Sequence, residues 1–418
     1  MVEKTDVLVI GGGVIGVCSA HYLQRAGRQV TLIERGEVCS GSSHGNGGLL
    51  VPSHSIPLAQ PGVVLPALRW MGNPESPFYI RPRFEMDLLR WLWRFWRKSN
   101  RRHVERSIPI LRDLNLASID LYDELADEPD LDFDLEHRGV LKIFKTPAQL
   151  DHAAEHCAHL TARGIQARVV DTAEIARLEP NVRIDAIGGV LYDQDAHITP
   201  MKFVHGLAGI AQQAGVRLHT GTEVIGLSRA DGRIREVHTT RGDFAPDQVV
   251  LAGGAWSPQI ARDLPLRLPI QAGKGYSITF ERPDPCPDMP MTCDEARFGI
   301  TPMGGLLRFA GTLELSGLNL DVDERRIAAI LRSVPQYLPE LDPDRMKLVE
   351  KWRGLRPVTP DGLPFIGRSN TVDNLVVAAG HAFIGVSLGP ITGKLVSELI
   401  TGREPSLDLS LLRLERFG

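Results

Sequence analysis

The feature of the sequence that most constrains its fold is a glycine-rich turn between a short apolar run and a helix-like segment. Asp6–Ile10 is the apolar run, positions 11–16 read GGGVIG, and Val14–Ala26 carries apolar residues at helical spacing. Gln29–Ile33 follows as a second apolar run, rich in β-branched residues. Strand, glycine turn, helix and strand form a βαβ unit, whose two strands we expect to be parallel.

The glycines of this turn match the pattern G-x-G-x-x-G, which has a physical reason at each position. Gly11 permits the tight turn, Gly13 lets the backbone approach a pyrophosphate, and Gly16 lets the helix and the strand pack closely. The start of the helix, at Val14 and Ile15, adds backbone N–H groups and the positive end of the helix dipole. The turn is therefore predicted to bind the phosphates of a dinucleotide.

An acidic residue supports this interpretation. Glu34 ends the second strand, about twenty residues after Gly13, where a carboxylate can accept hydrogen bonds from ribose hydroxyls. A glycine-rich turn alone could be structural, but the turn, both strands, the helix and the acid together favour a dinucleotide site. The sequence contains a single fingerprint of this kind, so it indicates one tightly held dinucleotide rather than a flavin that a bound nicotinamide reduces.

Composition excludes several other classes of protein. The chain has 418 residues, a length typical of roughly two to three domains. Of these residues 43% are hydrophobic and 23% charged, as in an ordinary globular protein. A net charge of −4 argues against a nucleic-acid binder, and five cysteines without a CxxC pair indicate neither a disulfide framework nor a zinc site. Because the sequence shows no secretory signal and no uncharged apolar stretch of about 18 residues, we expect a cytoplasmic protein without a membrane-spanning helix.

The order of the remaining patterns predicts how the chain is organised. Patterns typical of helices and parallel strands occur at both ends, while short strands that alternate with Gly/Pro turns occupy 268–309. We therefore expect an α/β fold (α+β overall), in which a Rossmann-like dinucleotide-binding domain is interleaved with an antiparallel-sheet substrate domain. The cofactor domain is assigned to 1–56, 198–260 and 352–418, and the substrate domain to 57–197 and 261–351.

Three further segments carry a resemblance to a known family. Positions 40–48 read SGSSHGNGG, positions 352–367 read WRGLRPVTPDGLPFIG, and positions 377–393 contain VAAGHAFIG followed by GPITG. In these segments the sequence resembles the FAD-dependent D-amino-acid oxidase superfamily, most closely its bacterial D-amino-acid dehydrogenase, glycine oxidase and sarcosine oxidase members. The second segment is the most specific, since it matches the family's W-x-G-x-R-P-x-T-x-D-G-x-P-x-I-G pattern nearly throughout.

The resemblance implies that the dinucleotide is FAD. It implies that the loop of positions 40–48 wraps the pyrophosphate, the ribityl chain and one face of the flavin, with His44 as a packing or hydrogen-bonding residue. We expect FAD to be bound non-covalently, because Cys293 is the last cysteine and sarcosine oxidases attach the flavin to one near their C-terminus. The implied cofactor contacts beyond the fingerprint are Arg35, Ser42, Ser43, His44, Asn46, Gly47, Gly48, Leu49, Val224, Gly253, Gly254, Trp256, Gly380, Ile384, Gly385 and Val386.

The resemblance also implies residues on the substrate side. Arg356 would hold the substrate carboxylate, which a planar guanidinium suits better than an ammonium does. Lys274 would lie near flavin N5, Tyr276 would contact the substrate, and His381 would border the pocket. Each has a structural alternative: a surface ion pair for Arg356, an exposed strand-end cation for Lys274, and satisfied core residues for Tyr276 and His381.

These residues imply an FAD-dependent oxidoreductase that oxidises a D-amino acid or a cyclic secondary amine such as a D-proline derivative. Hydride transfer to flavin N5 would give an imine, which hydrolyses to a 2-oxo acid, and the electrons would pass to a quinone or another carrier. Three alternatives remain open: an oxygen-using oxidase of glycine, sarcosine or D-amino acids, an FAD-dependent 2-hydroxy-acid dehydrogenase, and a non-catalytic flavoprotein subunit.

A segment rich in Trp and Arg, 84–106, is predicted to be one helix. Between Arg81 and Arg106 nine basic residues outnumber three acidic ones, and the segment contains Trp91, Trp93 and Trp96. Such a helix could lie in a membrane interface with its basic residues toward anionic lipid, which would make the protein peripheral on the inner face of the membrane. The alternative is a helix whose Trp stripe packs onto the substrate domain.

Overall fold

The computed structural model describes residues 2–63, 76 and 78–417, and within these residues the chain forms nine α-helices and nineteen strands. The helices are α1 (Val14–Arg25), α2 (Met86–Lys98), α3 (Arg101–Ala126), α4 (Pro147–Thr161), α5 (Thr172–Leu178), α6 (Pro200–Gln213), α7 (Ser257–Ile260), α8 (Glu324–Tyr337) and α9 (Gly389–Thr401).

The strands form two large sheets and one two-stranded sheet. In chain order they are β1 (Val2–Ile10), β2 (Val30–Ile33), β3 (Leu49–Leu50), β4 (Phe78–Ile80), β5 (Val140–Phe144), β6 (Ala167–Val170), β7 (Gly188–Tyr192), β8 (Ala196–His197), β9 (Arg217–His219), β10 (Val224–Ala230), β11 (Arg233–Thr239), β12 (Asp243–Leu251), β13 (Gln271–Glu281), β14 (Met291–Cys293), β15 (Phe298–Met303), β16 (Leu306–Leu315), β17 (Leu348–Val358), β18 (Phe365–Arg368) and β19 (Leu375–Ala379).

The first sheet has eight strands, five of them parallel in the order β9-β2-β1-β12-β19. Strand β18 is antiparallel to β19, and the β10–β11 hairpin pairs with the start of β12. Residues 7–10 of β1 are all buried, as expected of a parallel strand that is covered on both faces. The predicted βαβ unit is therefore confirmed as β1-α1-β2, and the carboxyl ends of the parallel strands meet at one edge.

The second sheet has nine strands in the order β17-β13-β16-β15-β14-β5-β7-β6, with β4 paired to β16. Its pairings are antiparallel except β14–β5 and β16–β4. This confirms the predicted antiparallel region. Residues 352–358, which the sequence analysis assigned to the cofactor domain, lie in β17 and pair with β13. The family's most specific segment thus begins in the second sheet, and the division into domains stays a prediction.

Helices cover the two sheets separately. Helices α1, α3, α6 and α9 share one hydrophobic cluster with Val7 and Val9 of the first sheet. The approach of α9 to α1 requires a glycine, since a Cβ on Gly393 would lie 2.5 Å from the backbone carbon of Cys18. Helix α8 packs on the second sheet through Ile327 and its neighbours. The predicted α/β fold class, with an added antiparallel sheet, is confirmed.

The predicted single helix over 84–106 is wrong, because the structure divides this segment at Ser99 and Asn100. Helix α2 ends before this pair and α3 begins after it. The backbone of Asn100 is extended, and its side-chain oxygen accepts a hydrogen bond from the backbone N–H of His103 at 3.0 Å. Asparagine in this role is a favourable N-cap, so it starts a new helix rather than continuing the old one.

The two sides of α2 differ. Trp91 is buried, stacks on Phe95, and donates a hydrogen bond from Nε1 to the carbonyl oxygen of Val358 at 3.1 Å. Trp93 and Trp96, in contrast, are 54% and 63% exposed. The helix therefore packs on the fold with one side, as one interpretation predicted, and leaves an aromatic side exposed.

Candidate functional site

A cavity of about 500 Å³ lies at the carboxyl ends of the parallel strands of the first sheet. Ligands of open α/β sheets bind at this edge, where loops rather than strands carry the contacts. Glu34, Arg35, Val224 and Trp256 line one end of the cavity, while Asn46, Trp352, His381, Gly385 and Val386 line the other. We call these the Glu34 end and the Gly385 end.

The glycine turn after β1 has the geometry that its sequence predicts. Gly11 has a φ of +116°, and a Cβ there would lie 2.5 Å from the carbonyl oxygen of Ala252. A Cβ on Gly16 would lie 1.8 Å from the carbonyl oxygen of Gly11. Gly13 precedes α1 and offers no side chain as a cap, while the N–H of Val14 donates to Ser43 Oγ. Gly13 and Ile15 line the cavity, so the rest of the helix N-terminus faces it, which suits a phosphate group.

At the Glu34 end, an acid and a stacked pair form the wall of the cavity. The Glu34 carboxylate accepts hydrogen bonds from the backbone N–H groups of Gly12 at 2.7 Å and Gly36 at 2.9 Å. These bonds leave lone pairs of both oxygens available to further donors. The Arg35 guanidinium lies 3.8 Å from the centre of the Trp256 ring. This arrangement suits a ribose beside the acid.

The loop of positions 40–48 crosses from the first sheet to the second. Ser43 Oγ accepts a hydrogen bond from the backbone N–H of Val14 at 2.9 Å, and Ser42 Oγ donates to the carbonyl oxygen of Leu355. The His44 imidazole is 2.9 Å from the Glu350 carboxylate. His44 thus has the hydrogen-bonding role expected of it and holds the loop against β17.

Arg308, on β16, holds the same loop in place, and it was not predicted from the sequence. Its buried guanidinium donates hydrogen bonds to the carbonyl oxygens of His44 and Asn46, each at 2.8 Å, and to Thr279 Oγ1 at 2.9 Å. Burial lowers the pKa of Arg308 to about 10. No motif surrounds Arg308, and its only signal in the sequence is an arginine near the start of a largely apolar strand.

The turn between β19 and α9 forms the Gly385 end. Gly380 has a φ of +85°, and a Cβ there would lie 2.6 Å from Thr359 Cγ2. The backbone N–H groups of Gly385, Val386 and Ser387 have no hydrogen-bond acceptor among the residues that the structure describes. These N–H groups precede the N-terminus of α9, so this end of the cavity favours negative charge.

Arg356 lies on β17 between Leu355 and Pro357, which line the cavity, while Arg356 itself is not among the lining residues. Its Nη1 donates a hydrogen bond to the carbonyl oxygen of Thr312 at 2.6 Å, and a Cβ on Gly275 would lie 1.9 Å from the same Nη1. Thr312 has a φ of +66°, a strained conformation for a β-branched residue. Within the described part of the chain no ion pair joins Arg356 to a carboxylate, its side chain is half-buried, and burial lowers its pKa to about 10. Strand β17 therefore holds a half-buried cation that an anionic ligand can pair with.

Lys274 and Tyr276 lie on the other face of β13. Side chains alternate along a strand, and Gly275 between them faces Arg356. Lys274 Nζ donates to the carbonyl oxygen of Asp321 at 2.9 Å and lies 3.4 Å from Glu314 Oε1. The structure thus does not bring Lys274 or Tyr276 together with Arg356. Both belong to a buried polar cluster beneath α8.

His381 borders the cavity, as the sequence predicted. Its Nε2 lies 3.1 Å from Thr392 Oγ1 on α9. Burial lowers the pKa of His381 to about 3, so the imidazole is neutral at physiological pH. It is therefore a hydrogen-bonding group of the cavity wall rather than a charged one.

Comparison with known proteins identifies the family. The family model described as DAO, FAD dependent oxidoreductase, matches residues 6–399. The chain belongs to the DAO family of FAD-dependent oxidoreductases. Proteins named D-amino acid dehydrogenase from Granulibacter bethesdensis and Sinorhizobium medicae are 32% and 33% identical, over 99% of this chain and 99% and 100% of theirs. The predicted family and the predicted FAD dependence are confirmed.

Solved structures agree with this assignment. Glycine oxidase from Geobacillus kaustophilus superposes with a TM-score of 0.81 at 25% identity, over 100% of both chains. L-proline dehydrogenase from P. horikoshii superposes with a TM-score of 0.77 at 21% identity, over 100% of this chain and 98% of that one. The second likeness shows a shared fold.

The residues of this DAO-family chain fit FAD. The open N-terminus of α1 beside Gly11 and Gly13 suits the pyrophosphate, and Glu34 suits a ribose. The isoalloxazine ring then belongs at the opposite, Gly385 end of the cavity. The predicted cofactor residues that line the cavity are Gly11, Gly13, Val14, Ile15, Glu34, Arg35, Ser42, Ser43, Asn46, Val224, Gly253, Gly254, Trp256, Gly385 and Val386.

The other predicted cofactor residues lie behind this lining. Their contacts with FAD stay predictions, and the structure gives two of them supporting roles: Gly16 in helix packing, and His44 in a hydrogen bond with Glu350. Five further lining residues belong to the motif of positions 352–367 but were not predicted as site residues: Trp352, Arg353, Gly354, Leu355 and Pro357. The remaining predicted residues outside the lining are Gly47, Gly48, Leu49, Gly380 and Ile384.

Proposed function

We propose that the protein oxidises a D-amino acid, or a cyclic secondary amino acid of the D-proline type, to the imine and then the 2-oxo acid. The relatives named D-amino acid dehydrogenase, which match along the whole chain, support this substrate class. The observation that carries the proposal is Arg356, whose half-buried guanidinium has no carboxylate partner among the described residues and whose chain neighbours Leu355 and Pro357 line the cavity. A substrate carboxylate supplies the missing anion.

The close approach of Arg356 to β13 follows from the glycines of that strand. Gly273 and Gly275 have no side chains on the face where Arg356 lies, and any Cβ on Gly275 would overlap the guanidinium. Arg356 therefore approaches the strand closely and directs the substrate by its carboxylate. Holding the carboxylate at one fixed point orients the α-carbon, which is the main contribution a protein makes to such a reaction.

The side chains of the site need not remove a proton from the α-carbon. Bound FAD supplies the two-electron acceptor, to which the α-hydrogen of a neutral amine transfers as hydride. His381 is neutral and hydrogen-bonded to Thr392, so it preserves the shape of the cavity wall. Contact of Lys274 or Tyr276 with flavin or substrate remains a prediction, which the variants Lys274→Met and Tyr276→Phe test.

The electrons of the substrate pass, in this proposal, to a quinone or another carrier rather than mainly to oxygen. The name dehydrogenase, shared by the relatives, supports this choice. The likeness to glycine oxidase favours the alternative, an oxygen-using oxidase. Oxygen consumption with substrate, compared with reduction of a quinone analogue under argon, separates the two. Faster turnover with oxygen would select the oxidase.

A peripheral contact with a membrane is part of the proposal. No helix among the described residues is long and apolar enough to cross a bilayer. The outer side of α2, however, exposes Leu89, Trp93 and Trp96 beside the basic residues Arg90 and Arg97. Exposed tryptophans among arginines suit the interface of an anionic bilayer. Sedimentation with phosphatidylglycerol vesicles, compared with neutral phosphatidylcholine vesicles, tests this contact.

The experiment that tests the substrate class is an anaerobic screen. FAD-loaded protein is mixed with D- and L-amino acids, imino acids, 2-hydroxy acids and carboxylate-free amines, and bleaching of the flavin absorbance is followed. We expect bleaching with D-amino acids or D-proline-type compounds. Bleaching by 2-hydroxy acids or L-amino acids alone would refute the proposal.

A further inference from the structure

The buried side of α3 carries polar residues where the helix meets the turn between β19 and α9. Asn115, Ser118 and Tyr122 are all fully buried. Their spacings of three, four and seven residues place them on one side of the helix. A helix that packs only for stability buries apolar side chains on that side, so this polar stripe has another cause.

Tyr122 fixes the peptide group between Val386 and Ser387. Its hydroxyl donates a hydrogen bond to the carbonyl oxygen of Val386 at 2.6 Å. Because the peptide group is planar and trans, holding this oxygen also fixes the direction of the Ser387 N–H. Burial raises the pKa of Tyr122 well above its ordinary value, so the phenol stays protonated and remains a donor.

Asn115 fixes the Ser387 side chain in the same turn. Ser387 Oγ donates a hydrogen bond to Asn115 Oδ1 at 2.6 Å and accepts one from the backbone N–H of Val51 at 2.9 Å. Asn115 Nδ2 in turn donates to the carbonyl oxygen of Leu111 at 2.8 Å. Helix α3 thus holds the backbone of the turn through Tyr122 and the Ser387 side chain through Asn115.

This turn lies at the end of the cavity that suits the flavin ring. Gly385 and Val386 line the cavity, and the N–H groups of Gly385, Val386 and Ser387 find no acceptor in the described part of the chain. They stand directly before the positive end of the α9 dipole. Fixed N–H groups stabilise negative charge when their direction is set in advance. A reduced flavin carries more electron density in its ring than an oxidised one. The direction of these N–H groups therefore stabilises the reduced and the oxidised forms to different extents.

We propose that Asn115 and Tyr122 are positioning residues that raise the redox potential of the bound flavin by holding the turn of residues 385–388. They act through Val386 and Ser387. The inference goes beyond the proposed function, since it concerns the flavin alone and holds whichever substrate the protein oxidises.

The test compares Tyr122→Phe and Ser387→Ala with the unaltered protein, all loaded with FAD. The two-electron midpoint potential of the flavin is measured against a reference dye without substrate, together with FAD content and Tm. Each variant is expected to lower the preference for reduced over oxidised flavin roughly three- to tenfold, the effect of one neutral hydrogen bond. For a two-electron couple this is a potential about 15–30 mV more negative.

Two controls separate positioning from stability. Ser118→Ala removes a hydroxyl of the same stripe that has no partner among the described residues. Tyr337→Phe removes a buried hydroxyl that donates to Glu295 Oε2 at 3.3 Å in the second sheet's cluster. Both are expected to leave the potential unchanged. An unchanged potential in Tyr122→Phe and Ser387→Ala, or an equal shift in Tyr337→Phe, would overturn the proposal, whatever happens to Tm.

Discussion

The two faces of strand β13 show how one strand can serve a site and a core at once. On one face the strand carries Gly273 and Gly275, and the Arg356 guanidinium occupies the space that a side chain on Gly275 would fill. On the face toward α8 it carries Lys274 and Tyr276, which join a network with Glu314. We call these the glycine face and the lysine face.

The difference between the faces lies in how charge is balanced. On the lysine face, the Glu314 carboxylate lies 3.4 Å from Lys274 and 3.6 Å from Arg326, and Asp323 lies 3.7 Å from Arg326, so two cations meet two carboxylates. On the glycine face, Arg356 donates to a backbone carbonyl and meets no carboxylate of the described residues. Buried charges are normally paired. The comparison therefore supports the proposal that the ligand binds on the glycine face, while the lysine face gives structural support.

The largest loss of kcat/KM is expected from Arg356→Ala. Loss of the charge leaves the substrate carboxylate unpaired, which costs about 2–5 kcal/mol for a charge-assisted contact. This corresponds to a fall in kcat/KM of roughly thirty- to several-thousand-fold, measured by steady-state turnover with a D-amino acid. Arg356→Lys should recover only part of the loss, since an ammonium lacks the planar fork. Turnover of carboxylate-free amines should hardly change, and FAD content should hold.

A smaller loss of kcat/KM is expected from Gly275→Ala. The added Cβ would lie 1.9 Å from Arg356 Nη1 and 2.4 Å from its Cζ, so the guanidinium must move. A displacement of about 1 Å in a positioning group lowers kcat/KM roughly tenfold to a hundredfold. Gly299→Ala is the matched control in the same sheet, because its Cβ would approach nothing closer than 3.6 Å. Equal activity of the two variants would remove the glycine face from substrate binding.

Lys274→Met should affect stability rather than turnover. The variant leaves Glu314 with Arg326 as its remaining charged partner, which should lower the free energy of unfolding by about 1–2 kcal/mol. Urea denaturation measures this loss, and kcat/KM should stay unchanged. If kcat instead collapsed while stability held, Lys274 would act at the flavin, as the sequence predicted, and the contrast between the faces would fail.

The smallest effect is expected from Tyr276→Phe. Its hydroxyl accepts from the backbone N–H of Asp323 at 3.2 Å, and losing it should cost about 1 kcal/mol or less of stability. Burial raises the pKa of Tyr276 to about 12, above its unfolded value near 10. The stability linked to this shift is present below about pH 10 and is lost as the pH rises toward 12. Activity profiles of both proteins should coincide below pH 10, and a shifted profile would place Tyr276 at the substrate.

The sequence predicted the framework of the site well, because local patterns encode it. The βαβ unit around Gly11 and Gly16 follows from apolar periodicity and from steric limits within a few residues of chain. Arg356 could be singled out because it stands in a specific motif. A helix break at Asn100 was missed because an N-cap inside a helical pattern competes with propensities that favour continuation.

The rest of the site depends on contacts distant in the chain. Alternation along β13 shows that Lys274 and Gly275 face opposite ways, but only the fold shows which face meets Arg356. Arg308 and Tyr122 were missed for the same reason. Their hydrogen-bond acceptors, on loops more than two hundred residues away, become neighbours only after the two sheets assemble. Their sequence surroundings read as ordinary strand and helix.

The most direct test of the central claim, that Arg356 on the glycine face holds the substrate carboxylate, is an equilibrium titration with benzoate. This carboxylate cannot be oxidised at an α-carbon, so the change of the flavin spectrum gives its Kd without turnover. The account predicts that Arg356→Ala raises the Kd at least thirtyfold, consistent with loss of about 2 kcal/mol or more, while Lys274→Met leaves it unchanged. An unchanged Kd in Arg356→Ala, or an equal rise in Lys274→Met, would contradict it.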